Sequence, residues 1–126
     1  MPSSPFMELA LEAAKAAELR GEVPVGSVLV NAKSGDIVAS EGNRVLELKD
    51  PTAHAEMLAI REAARVTDSE RLGELDLYVT LEPCPMCAQA ISFARIRRLY
   101  FGASDEKGGG VENGPRIFGA SSCHHK

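Results

Sequence analysis

Tryptophan is absent from this chain, aromatic residues are limited to four phenylalanines and two tyrosines, and low-complexity segments and internal repeats are missing. Nothing in the composition points to disorder or to a repeat architecture, and structure is expected nearly end to end. No apolar run approaches the ~18 residues of a membrane span. The N-terminus also lacks a basic region followed by an apolar segment and a small-residue cleavage site. The expectation is a cytoplasmic protein with no membrane partner. Cysteine is scarce as well: there are three, an odd number, two of them in a C-x-x-C spacing. That pattern suits a reducing compartment better than a disulfide framework and leaves the thiols for metal or redox chemistry.

What is present fits one domain, 1–126, at 44% hydrophobic and 25% charged residues. The net charge of -4 argues against nucleic acid binding by the whole surface, yet the charge is uneven. Residues 1–90 hold 8 Lys and Arg against 15 Asp and Glu, whereas residues 91–126 hold 6 against 3. The basic part includes Arg95, Arg97, Arg98, Lys107 and Arg116. By charge alone it could equally be a solvated face.

Ser3-Ser4-Pro5 offers a helix cap and a proline at the first helical position, and Phe6, Leu9, Ala10, Ala13, Ala14 and Ala17 recur at helical spacing as far as Arg20-Gly21. The alanines predict close approach to a sheet. Val23 to Val30 and Ile37 to Ala39, joined by a turn-rich segment, predict an antiparallel hairpin. A second helix is expected over 53–65, a strand over 75–81, a third helix over 86–94 and a short strand at 99–101. From Lys107 to Gly114 glycines predict a loop. The order describes an α/β domain with a mixed sheet: an N-terminal hairpin and parallel later strands.

The chemistry gathers in two islands. In Glu82-Pro83-Cys84-Pro85-Met86-Cys87, both thiols fall in the first turn of the third helix, where free amides and the helix dipole favour thiolate. The pair by itself reads equally as a redox couple or as half a metal site. Thirty residues upstream, His54 heads the second helix. One imidazole and two thiols leave a fourth tetrahedral position open, as in catalytic zinc. Glu56 lies two residues on, a spacing that does not share a helix face. It reads either as a solvated helix glutamate or as a proton carrier reaching round from the first turn.

His54-Ala55-Glu56 with Pro83-Cys84-Pro85-Met86-Cys87 resembles the H-x-E and P-C-x-x-C signature of zinc-dependent nucleobase deaminases. Residues 22–26, 50–56, 77–84 and 100–109 together are similar to the bacterial tRNA-specific adenosine deaminases, with likeness running from about Phe6 to His125. The resemblance implies a three-layer α/β/α cytidine-deaminase-like fold, a homodimer, and one zinc ion per chain held by His54, Cys84 and Cys87. It implies hydrolytic deamination of adenosine to inosine at the wobble position of a tRNA anticodon loop, with Glu56 shuttling the proton. Asn43 would hold the base, and Ala55, Pro83, Asp105 and Lys107 would complete the substrate site. Taken singly, Asn43 is a turn residue, and Asp105 and Lys107 are loop charges. The resemblance further implies a C-terminal helix that has no counterpart past Cys123-His124-His125-Lys126. Those terminal donors could form another metal site, though such groups without further ligands are more often exposed or packed.

Two rival readings keep part of this chemistry. A free-base or nucleoside deaminase acting on guanine or cytosine would use the same centre. A non-catalytic zinc or nucleic-acid-binding module would need a complete four-ligand shell.

Overall fold

The computed structural model describes residues 4–123 and 125. Helix α1, Pro5–Leu19, is capped by Ser4, whose Oγ accepts the Phe6 N–H at 3.2 Å. Ser3, the other hydroxyl of the expected cap, lies outside the described residues. The buried face of α1 is Ala10, Ala14 and Ala17, which carry too little side chain to hold the helix off the sheet. Gly26 completes that approach: a Cβ there would overlap Ala10 O and come within 2.5 Å of Ala14 N.

The hairpin forms from β1, Gly26–Asn31, and β2, Ile37–Gly42. Asn31 Oδ1 shapes its turn by accepting the N–H groups of Lys33 and Ser34. The strand begins three residues later than expected. Val25 N–H bonds to Val23 O at 2.8 Å, closing a tight turn through Pro24 in place of extended pairing. A short helix that the periodicity does not predict, α2, Val45–Leu48, follows β2.

Helix α3 spans Ala55–Thr67, β3 Leu75–Leu81, α4 Pro85–Phe93 and β4 Arg98–Ala103. A 3₁₀ turn at Ile117–Gly119 follows the glycine-rich loop. The sheet order is β2-β1-β3-β4; β1 is antiparallel to both neighbours, and β3 and β4 are parallel.

Alternation along the strands separates two apolar layers. Leu29 and Leu77, paired across β1 and β3, point to the side of α3 and α4, where Ala59, Ala63, Ile91, Ala94 and Ile96 close over them. Val28, Val30 and Tyr78 point the other way, to Phe6, Leu9 and Ala10 of α1. The result is the three-layer α/β/α arrangement. Ile91, Ala94 and Ile96 belong to this core. No helix among the described residues is long and apolar enough to cross a membrane.

Candidate metal centre and its cleft

Because β3 and β4 are parallel, α4 must start where β3 ends, at the carboxyl edge of the sheet. Cys84 is the N-cap of α4 with extended backbone (φ -69°, ψ 169°), and Pro85 sets the first turn. Cys87 is in that turn and fully buried. The N-terminus of α3 arrives at the same level with His54 as its N-cap. Two helix N-termini thereby bring three donors together.

His54 Nδ1 lies 3.7 Å from Cys84 Sγ and 3.5 Å from Cys87 Sγ. Ideal tetrahedral zinc, with bonds of about 2.3 Å to sulfur and 2.0–2.1 Å to nitrogen, places such N and S atoms about 3.5–3.6 Å apart. All three donor atoms fall within 4.8 Å of one another, the only such group among the described residues. Two thiols and an imidazole are a borderline-soft set suited to zinc.

The thiols already differ in acidity. Cys87 donating to Cys84 Sγ, aided by the amides of the first turn and by His54, holds Cys84 at about 5 despite partial burial. The same shared hydrogen bond, with burial and the nearby Glu56, pushes Cys87 up.

Glu56 is 3% exposed and lines the same cleft as His54 and Cys84. The spacing objection disappears because His54, at φ -72° and ψ 153°, precedes the helical turn, and Glu56 faces inward from that turn. Burial pushes its carboxyl up from the ordinary range; its own backbone N–H and the His54 charge partly oppose this.

Asn43 is buried just past the end of β2. Its Oδ1 accepts the Ala55 N–H at 2.7 Å, which leaves its NH₂ group as the donor offered to the cleft. The cleft encloses about 460 Å³. Of the other expected substrate residues, Asp105 lines it, while Ala55 and Pro83 are fully buried behind it. Lys107 is exposed and ties in through its backbone N–H to Asp105 Oδ1 at 3.1 Å. Cys123 is kept apart from the centre: it is buried with its Sγ 3.1 Å from Ser92 Oγ. His125 turns Nε2 to Ile96 O at 3.1 Å. His124 lies outside the described residues.

Two buried carboxylates not anticipated from the sequence hold the cleft walls. Glu22 accepts the N–H groups of Leu46 at 3.1 Å and Glu47 at 2.9 Å, pinning α2 along one side. Glu82 accepts five donors from residues 105–113 on the other. Burial pushes Glu82 up, but those donors outweigh it and hold the carboxyl at about 2. The available signal was an acidic residue wedged between an apolar strand and Pro-Cys.

Fold and site together define a zinc-binding deaminase domain, and the sequence profile of the cytidine and deoxycytidylate deaminase zinc-binding region matches residues 2–103. The tRNA-specific adenosine deaminase of Agrobacterium fabrum is 60% identical over 120 residues, covering 95% of this chain and 78% of that protein. A solved structure from a study of A-to-I editing by tRNA:A34 deaminases at the wobble position superposes with a TM-score of 0.93 at 60% identity, over 96% of this chain and 92% of the other. The guanine deaminase of Bacillus subtilis has a TM-score of 0.77 at 39% identity, over 82% and 66%. The chain belongs to the zinc-dependent cytidine and deoxycytidylate deaminase family, in its branch of tRNA-specific adenosine deaminases.

Proposed function

We propose that this protein hydrolyses adenosine to inosine at the first anticodon position of tRNA, releasing ammonia, in the single domain formed by residues 1–126. The observation that carries the proposal is the juxtaposition of a buried, cleft-lining Glu56 with the His54, Cys84 and Cys87 donor set. Its support is the 60% identity to a tRNA-specific adenosine deaminase.

His54, Cys84 and Cys87 would hold one zinc ion per chain, which when bound lowers the pKa of water toward ~7. Glu56 takes a proton from the attacking water and delivers it to N1 of adenine as C6 becomes tetrahedral. It then takes the proton of the new C6 hydroxyl and passes it to the departing amino nitrogen, so that ammonia leaves and the C6 carbonyl of inosine remains. Burial serves this cycle because it raises the affinity of the Glu56 carboxylate for the proton it must take from water and pass on. Asn43 orients the base through its free NH₂ group. Ala55 and Pro83 shape the floor behind the base, and Asp105 and Lys107 belong to the wall that meets the nucleotide. Arg and Lys side chains of the basic C-terminal part position the phosphates. A homodimer working in the cytoplasm completes the reading, and light scattering of the purified protein tests the dimer.

The substrate is tested by offering an anticodon stem-loop with adenosine at its first anticodon position beside free guanine, cytosine and adenosine. Inosine from the stem-loop alone is expected. Turnover of a free base in its place would keep the zinc chemistry and overturn the substrate.

A further inference from the structure

The segment from Asp105 to Asn113 contains no helix or strand, yet it forms one wall of the cleft through Asp105 and Gly108. Its position depends on contacts from outside itself. The Glu82 N–H donates to Ala103 O at 2.8 Å, extending the parallel pairing by one step past β3. That step carries the Glu82 carboxylate beyond the sheet to where the loop returns.

Each carboxylate oxygen is then occupied. Oε1 accepts the Asp105 N–H at 3.0 Å and Asn113 Nδ2 at 2.7 Å. Oε2 accepts the N–H groups of Val111 at 3.0 Å, Glu112 at 3.0 Å and Asn113 at 3.1 Å. These donors fill the roughly four lone-pair sites of a carboxylate, so Glu82 has no capacity left to take a proton from water. The fit is tight: a Cβ on Gly109 would collide with Glu82 Oε2 and come within 2.5 Å of Asp105 O. The loop is also tied to the metal-ligand segment, because Gly110 N–H donates to Pro83 O at 2.8 Å. Asp105 Oδ1 in turn accepts the N–H groups of Lys107 and Gly108 at 3.1 and 2.9 Å.

We propose that Glu82 is a positioning residue for the substrate: its carboxylate fixes the 105–113 loop as a wall of the cleft and thereby sets affinity for the nucleotide without moving a proton. This inference rests on the deaminase reading of the cleft. In Glu82→Gln an NH₂ group replaces one acceptor and faces N–H donors, so the loop loosens while the metal ligands stay.

Hydrogen exchange and steady-state kinetics on the zinc-loaded protein test it. The amides of Asp105, Val111, Glu112 and Asn113 should lose protection in Glu82→Gln. The KM for the adenosine stem-loop should rise about tenfold, as for the loss of a charged hydrogen-bond network, with kcat changed less than about threefold. Gly109→Ala, whose Cβ would force the loop and the Glu82 carboxylate apart without removing the charge, should raise KM in the same way. Asn113→Ala removes a single donor side chain and should raise KM less, which keeps the test available if Glu82→Gln does not fold. Unchanged exchange at those amides, or a fall in kcat with KM unmoved, would overturn the proposal. Exchange is read without substrate, so it decides the loop-holding role even if wild-type protein converts no stem-loop, a result that would overturn the substrate reading.

Discussion

Asn43 Oδ1 accepts the Ala55 N–H at 2.7 Å, so the residue beside His54 is fixed to the loop that follows β2. One amide thereby sets the start of α3 with its oxygen and faces the cleft with its nitrogen. Asn43→Asp keeps the acceptor and loses the donor. It should retain zinc and near-normal Tm while kcat/KM on the stem-loop falls by about tenfold to a hundredfold, the scale of one buried hydrogen bond to substrate. Asn43→Ala loses both functions and should also lower stability by about 1–3 kcal/mol, because the buried Ala55 N–H is left without a partner. Thermal melts beside initial rates separate the two effects.

The donor distances around His54 make metal content a direct readout. One zinc per chain is expected by elemental analysis, falling to a small fraction in His54→Ala and Cys87→Ala. Cys123→Ser should leave it unchanged, because that thiol is packed against Ser92 and is not among the three clustered donors. Removing zinc with a chelator should lower Tm, since an ion bound only by the folded protein stabilises it. Full zinc in Cys87→Ala would remove that residue from the site.

Glu22 links stability to pH. Burial raises its pKa, but the amides of Leu46 and Glu47, then the charges of Arg20 and Arg44, bring it below 4.5. A carboxyl depressed in the folded state contributes stability that is fully present above the unfolded pKa of about 4.3 and lost as pH falls through the folded value. Glu22→Gln should therefore melt below wild type at pH 7, and the gap should narrow as pH drops from about 4.5 toward 3. A constant gap across that range would show that Glu22 acts through packing.

The order and type of the long elements were legible because their patterns are local: the alanine stripe of α1, the β-branched run of β1, and Pro-Cys-Pro closing β3. The His54, Cys84 and Cys87 grouping was legible for a related reason: β2 and β3 are both antiparallel to β1, so they end at the same edge of the sheet, where the segments carrying His54 and the two cysteines follow. What stayed hidden depends on distant partners. Helix α2 has four residues and no amphipathic signal; it is held by Glu22, twenty-four residues upstream of Leu46. The Glu82 hub draws its donors from 23 to 31 residues downstream. Val23 to Val25 has strand composition, but Pro24 favours the turn. The apparent mismatch between His54 and Glu56 came from treating both as helical, whereas the cap residue is extended.

Glu56→Ala, assayed for inosine formation on the adenosine stem-loop with zinc measured in the same sample, bears on the mechanism with the fewest intermediate assumptions. Zinc should remain at one per chain, because Glu56 is not among the three clustered donors. Turnover should fall by about a thousandfold or more, the upper range for loss of a general acid–base group. Inosine forming near the wild-type rate with zinc in place would contradict the assignment of proton transfer to Glu56 and with it the mechanism proposed for the cleft.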